Sequence, residues 1–156
     1  MPNPAKESWQ AALSLGAQEV LEMMAGTQLS PCGDGGRSAC SELTAVVGLA
    51  GPVCGVLTVC CSQKGATLIA SRMLGTSIED AQRELLDAMG EICNMVAGNF
   101  KSKLGDAGQA TLLSVPAVIK GTQYRICSAV KGEIIECQHE FDNEVILFRL
   151  EYKIAS

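Results

Sequence analysis

Residues 43–61 form a run of 19 without one charged side chain, and what that run becomes limits everything else the chain can do. Its length approaches the roughly 20 apolar residues of a bilayer-crossing helix. Gly51 and Gly55 even stand at the spacing found between packed membrane helices. Gly51 and Pro52 sit together at the centre, however, and both flanks are rich in Val and Thr, whose branched side chains suit a pleated strand. No cluster of basic residues anchors either end. The run therefore reads as two buried strands joined by a tight turn, and no membrane span is expected.

With 156 residues, 47% of them hydrophobic and 19% charged, the chain fits a single domain, 1–156, with ample material for a core. Twelve basic against 17 acidic residues leave a net charge of -5, which opposes the counterion-release attraction of nucleic-acid binding. A basic or neutral partner fits better, and no nucleic acid is expected. Eight cysteines contain no C-x-x-C pair, and the lone His139 cannot build a repeated Cys/His pattern, so no metal site is expected. The start of the chain lacks a basic stretch followed by an apolar run and a small-residue cleavage site. A cytoplasmic location follows as the expectation, with most cysteines acting as buried small hydrophobes.

Along the chain, Trp9, Leu13, Val20 and Met24 recur at near-helical spacing, predicting a helix over 7–24 that stops at Gly26. Residues 30–41, with Pro31, Gly33, Asp34, Gly35 and Gly36, read as a loop. After the hairpin, a short helix over 65–74 closes at Gly75, and Thr76 or Ser77 caps a longer one over 78–104, with Glu79 and Asp80 favouring its N-terminus. Alternating, β-branched stretches then predict strands at 111–120, 124–130, 133–139 and 145–154. The expected class is α+β, with long helices packed on a largely antiparallel sheet. His139 is expected to be an exposed strand residue.

On the long helix, Leu85, Leu86, Met89, Ile92, Cys93, Val96 and Phe100 form a broad apolar face. Asp87, Glu91, Asn94 and Gly98, spaced four, three and four apart, form a row on the other. Like charges at Asp87 and Glu91 cost about 0.2–0.5 kcal/mol, and a mid-helix Asn is a poor helix former. A solvated polar face is the ordinary reading of such a row, and helix physics alone favours it. The alternative is a docking face: a carboxylate for a partner's lysine, an amide able to hold a water, and a glycine that keeps the surface low.

Asp87-x-x-x-Glu91-x-x-Asn94, continued by Met95-Val96-Ala97-Gly98-Asn99 and, after 21 intervening residues, by Pro116, resembles the pattern of the CheC and CheX family of chemotaxis phosphatases. The hairpin segments Val46-Val47-Gly48-Leu49-Ala50-Gly51 and Gly55-Val56-Leu57-Thr58, then Ala70-Ser71-Arg72-Met73-Leu74-Gly75, are similar to the same family in the same order. The resemblance spans about residues 7–154. The short motif is not specific alone, because Glu140-x-x-Asn143 repeats it with Glu136 four residues earlier. Asp142-Asn143 reads as a turn, so one convincing copy remains, as in CheX-like members.

The resemblance implies hydrolysis of the aspartyl phosphate on a CheY-like receiver, whose own site supplies the Mg²⁺ and a lysine, so the chain would bring no cofactor. It implies catalytic roles for Glu91, pairing with that lysine, and Asn94, orienting the attacking water. Asp87, Gly98 and Pro116 would be partner contacts, and the protein a homodimer joined at sheet edges. Phosphoryl transfer depends mainly on positioning and electrostatics, which such residues can supply. A non-catalytic module that docks a regulator, as in flagellar switch proteins of related fold, is the alternative. Cys93 points about 100° away from Asn94 toward the apolar face, and burial is its expected fate.

Overall fold

The computed structural model describes residues 4–32 and 42–155; residues 33–41, which carry the glycines of the expected loop and Cys40, lie outside the described residues. Helix α1 (Pro4–Ala25) buries Leu13, Ala17, Val20 and Leu21 and ends at Gly26, whose φ of +55° lets its amide bond back to the Glu22 carbonyl. Strand β1 (Ser30–Pro31) follows, within the segment expected to be a loop.

The uncharged run is a hairpin of β2 (Leu43–Ala50) and β3 (Val53–Cys61), in register from Leu43 opposite Cys61 to Leu49 opposite Gly55. Gly51 makes its turn at φ +119°, where a Cβ would stand 2.9 Å from the Ala110 carbonyl oxygen. Only glycine suits that position. Period-two alternation sends Leu43, Ala45, Val47, Leu49, Val53, Leu57, Val59 and Cys61 to one face, and all are buried in the core.

Helix α2 (Gln63–Leu74) starts at Ser62, whose Oγ accepts from the Gly65 amide, and stops at left-handed Gly75. Helix α3 (Ile78–Ser102) starts at Ser77, whose Oγ accepts from the Asp80 amide. A single-turn helix α4 (Asp106–Gln109) leads to two short strands, β4 (Leu112–Leu113) and β5 (Ala117–Lys120), then β6 (Glu133–Phe141) and β7 (Glu144–Ile154). The strands run in the order β1-β6-β7-β3-β2-β4, every pair antiparallel, with β5 also on β2. Helix α1 lies against β6 and β7, α3 against β2, β3 and β5, and α2 beside α3. This is the α+β architecture expected from the element pattern. Among the described residues, no helix is long and apolar enough to cross a membrane.

Four expectations fail for physical reasons. Residues 124–130 are not a strand. Their alternation is real, with Tyr124, Ile126, Ser128 and Val130 half-buried and Arg125, Cys127 and Ala129 exposed, but it reflects a segment laid over the sheet. Tyr124 hydrogen-bonds through its hydroxyl to Thr44 Oγ1, on the side of β2 opposite the helices. The strand expected over 111–120 is broken at residues 114–116 into β4 and β5. His139 is 1% exposed rather than exposed, because alternation along β6 puts it with Ile135, Cys137 and Phe141 on the helix side. Leu86, assigned to the apolar face, is 42% exposed. Of the seven described cysteines, Cys61, Cys93 and Cys137 are buried, Cys32, Cys54 and Cys60 are half-buried and Cys127 is exposed. Burial as small hydrophobes thus holds for three of them.

Candidate functional site

Helix α3 carries the site, and its packing fixes which way the polar row faces. Leu85, Met89, Ile92, Val96 and Phe100 are all buried; at about 1.5–3 kcal/mol for each such side chain, their burial outweighs the repulsion between Asp87 and Glu91 several-fold. The helix persists and the row stays outward. A brace to α1 holds the same orientation: Asn99 donates through Nδ2 to Glu19 at 3.0 Å, and Lys103 Nζ lies 3.0 Å from the same carboxylate. The Asn99 hydrogen bond, with Lys103 beside it, holds the Glu19 carboxyl below its ordinary range. At Gly16, a Cβ would stand 3.1 Å from Asn99 Oδ1, so the absent side chain lets the helices cross closely.

Asp87 and Glu91 are exposed, and Asn94 and Gly98 are half-buried. Among the described residues, the side chains of Asp87, Glu91 and Asn94 have no hydrogen-bond or ion-pair partner in the chain, and the Asn94 amide is reached by solvent. A Cβ at Gly98 would meet nothing within 4 Å. No packing among the described residues requires glycine there, although glycine costs about 1 kcal/mol relative to alanine in a helix interior.

Pro116 reaches the same place from the far side of the sequence. A Cβ on buried Gly90 would lie 3.7 Å from Pro116 Cβ and Cγ and 3.5 Å from Val118 Cγ2. On a helix of 3.6 residues per turn, Asn94 lies about 40° and Asp87 about 60° round from Gly90. Pro116 therefore flanks the row, and all five residues singled out in the sequence come together on one surface.

The structure adds residues that the motif does not contain. Asp80 and Glu84 continue the row at the same four-and-three spacing and are exposed, so α3 presents a line of four carboxylates; extending the spacing backward would have found them. Beside it, residues 114–116 form an outward bulge between β4 and β5 that follows from long-range pairing and has no local sequence signal.

Other candidate groups are placed elsewhere. Cys93 is fully buried, its thiol pushed up to about 12 by burial, and its Sγ lies 3.9 Å from the Leu57 carbonyl oxygen; a thiolate nucleophile is not available there. His139 Nε2 lies 2.9 Å from Ser14 Oγ, beside a surface cavity of about 430 Å³ lined in part by Glu7, Gln10 and Glu136. His139 Nδ1 is buried without a hydrogen-bond partner among the described residues, so no acidic group orients the ring as a general base would require. Burial lowers the His139 pKa. The second motif copy lies on a hairpin: β6 and β7 are joined by Asp142 and Asn143, both at positive φ, in the manner of a two-residue type I′ turn. No helix presents Glu140 with Asn143. Among the described residues, no group of three or more His, Cys, Asp or Glu is arranged to hold a metal ion.

A model of the family described as chemotaxis phosphatase CheX matches residues 43–139, which include the hairpin, the whole of α3 and Pro116. A CheY-P phosphatase CheX of Thermotoga maritima is 33% identical over 88 residues, 56% of this chain and 57% of that protein; the match spans little more than half of the relative's length. Among solved structures, the chemotaxis protein CheX of Vibrio vulnificus superposes with a TM-score of 0.81 at 23% identity, covering 97% of this chain and 100% of that one. CheX of Borrelia burgdorferi, solved in complex with CheY, BeF₃ and Mg²⁺, gives 0.74 at 21% identity, covering 92% and 96%. With the family match extending over more than half of its residues, this chain belongs to the chemotaxis phosphatase CheX family.

Proposed function

We propose that this chain, as a single cytoplasmic domain, removes the phosphoryl group from the aspartyl phosphate of a CheY-like response regulator. The observation that carries the reading is the pair Glu91 and Asn94. They stand three residues apart on the solvent side of a rigid helix, with no partner in the chain among the described residues. Glu91 pairs with a lysine at the rim of the receiver's phosphorylation site, a charge-assisted contact that docks α3 and sets its register. Asn94 then enters the site and holds a water in line with the aspartyl oxygen. Water attacks phosphorus, the bond from phosphorus to the aspartyl oxygen breaks, and inorganic phosphate and a free carboxylate result. The chain forms no covalent intermediate; its contribution is position and orientation.

The Mg²⁺ belongs to the receiver, in keeping with the Borrelia CheX crystallised with CheY, BeF₃ and Mg²⁺. Asp87, Gly98 and Pro116 complete the contact surface. A homodimer joined at a sheet edge is part of the same reading, since β1 lies at one end of the strand order and β4 and β5 at the other. The test is the decay of a phosphorylated receiver from the same organism with and without the chain. Acceleration supports the reading; binding without acceleration assigns the chain to a docking role instead.

A further inference from the structure

We infer that Lys101 on α3 is a docking residue for the receiver, its ammonium pairing with a carboxylate on the side of the phosphorylation site opposite the lysine that meets Glu91; this rests on the function proposed above. Lys101 lies seven residues beyond Asn94 on the same helix, about 10.5 Å along the axis and only about 20° round it, so it extends the face that carries Asn94. The Cα–Cβ bonds of a helix tilt toward its N-terminus, which leans the lysine stem back toward Asn94. The turn between the two holds Gly98, where a Cβ would meet nothing within 4 Å.

The charge of Lys101 is not used within the chain. Among the described residues, its ammonium has no hydrogen-bond or ion-pair partner, and no acidic residue stands within four positions on either side of it in sequence. The other cations of α3 and its C-terminal end differ. Lys103 is paired with Glu19, and Arg83 stands within one turn of both Asp80 and Asp87, whose charges offset it. Lys101 is half-buried, so its stem loses less freedom when the ammonium makes a contact. Its main chain is held as well, since α4 brings Gly108 so close that a Cβ there would stand 1.9 Å from the Lys101 carbonyl oxygen. In the last turn of α3, Lys101 also favours the helix dipole, a role that the substitutions below separate from docking.

Along this face the charges run in order: four carboxylates ending at Glu91, the amide of Asn94, the bare turn at Gly98, then Lys101. The receiver's site offers the complementary order. It holds an aspartyl phosphate and a Mg²⁺, an ion coordinated by carboxylates and phosphate oxygens, so beyond its lysine the site is anionic. With that lysine on Glu91 and the phosphoryl group at Asn94, the acidic far side of the site lies over Lys101. Turned end for end, the receiver would set like charges together at both ends, so Glu91 and Lys101 fix the direction in which it lies along α3.

Dephosphorylation kinetics over a range of phosphorylated-receiver concentrations, at low salt and at about 0.5 M salt, are measured for wild type, Lys101→Met, Lys101→Glu and Lys101→Arg. Lys153→Met, at an exposed position on β7, removes the same charge away from the site. Methionine keeps an unbranched stem and a helix propensity close to that of lysine without the charge. At low salt Lys101→Met is expected to raise KM about two- to fivefold and Lys101→Glu about tenfold, with kcat kept, the scale of one solvent-screened ion pair and of its reversal. Lys101→Arg and Lys153→Met should keep the wild-type KM, and the effect of Lys101→Met should shrink at high salt. A purely structural role would lower the melting temperature without a salt-dependent change in KM.

A wild-type KM in Lys101→Met at low salt overturns the contact and leaves the proposed function intact. So does an equal rise in Lys153→Met, which assigns the effect to net charge, or a rise in KM that high salt does not reduce. Failure of wild type itself to bind or dephosphorylate the cognate receiver overturns both.

Discussion

Pro116 packs onto Gly90, its Cβ and Cγ each 3.7 Å from where a Cβ on the glycine would stand, and that contact joins the two separated parts of the sequence motif. The 21 residues between Asn94 and Pro116 complete α3, form α4 and β4, and return the chain along the edge of the sheet to the same helix surface. The spacing is the path length of that return.

Gly98 separates stability from function. Its open surroundings mean that Gly98→Ala should stabilise the fold by up to about 1 kcal/mol, through helix propensity alone. The same methyl group should weaken docking of the receiver and raise KM. Urea denaturation and dephosphorylation kinetics on one preparation check both, and a variant that gains stability without losing affinity removes Gly98 from the docking surface.

The second motif copy should be inert. Glu140→Ala and Asn143→Ala are expected to keep full dephosphorylation activity, because the hairpin at Asp142 and Asn143 presents no helix face. Asn143→Ala should nevertheless cost about 1–2 kcal/mol of stability, since alanine tolerates a φ of +63° less well than asparagine. Loss of activity with normal folding would indicate a second working site.

Thiol chemistry gives another check on the mechanism. Cys93, beside Asn94 in sequence, is held as a neutral thiol with its pKa near 12 by burial, whereas Cys127 is exposed. Iodoacetamide treatment of the folded protein at pH 8 should label Cys127, spare Cys93 and leave turnover unchanged. Inactivation that tracks labelling of Cys93 would point to a cysteine nucleophile.

His139 makes stability depend on pH. Burial lowers its pKa below the ordinary value of 6.5, so the unfolded chain binds the proton more tightly than the folded one. Its stabilising contribution is full above that ordinary value and is lost as pH falls from there toward the folded pKa. The urea midpoint of wild type should therefore drop between pH 7.5 and pH 5.5, and His139→Gln should drop less. An equal drop in both would place the titration elsewhere.

The parts of this fold legible in the sequence are those whose signal is local and periodic. Leu85 to Phe100 repeat at helical spacing, Ser77 is a capping residue where a cap is needed, and Gly51-Pro52 interrupts an otherwise uncharged run. The row Asp87, Glu91, Asn94 and Gly98 was legible as one helix face, but its reading as a docking face and the inclusion of Pro116 came from the family resemblance, and the meeting of Pro116 with α3 needed the sheet to bring it there. Residues 124–130 were misleading because a segment lying across a sheet alternates as a strand does. His139 was misleading because polarity says nothing about which face of β6 a residue occupies. Leu86 lies inside the apolar stripe by angle, between Cys93 and Ala97, so helical spacing alone could not show that this early part of the stripe is left exposed. The break at residues 114–116 had no local signal at all: it goes with Ser114 finding Gly48, 66 residues away.

The most direct test of the central claim is a side-by-side comparison of wild type and Asn94→Ala with the phosphorylated receiver of the source organism, measuring binding and phosphate release in the same experiment. The account predicts equal binding within a few-fold and a loss of hydrolysis of about a hundredfold or more, the scale of removing a positioned group that acts in the transition state. Full hydrolysis by Asn94→Ala would contradict it.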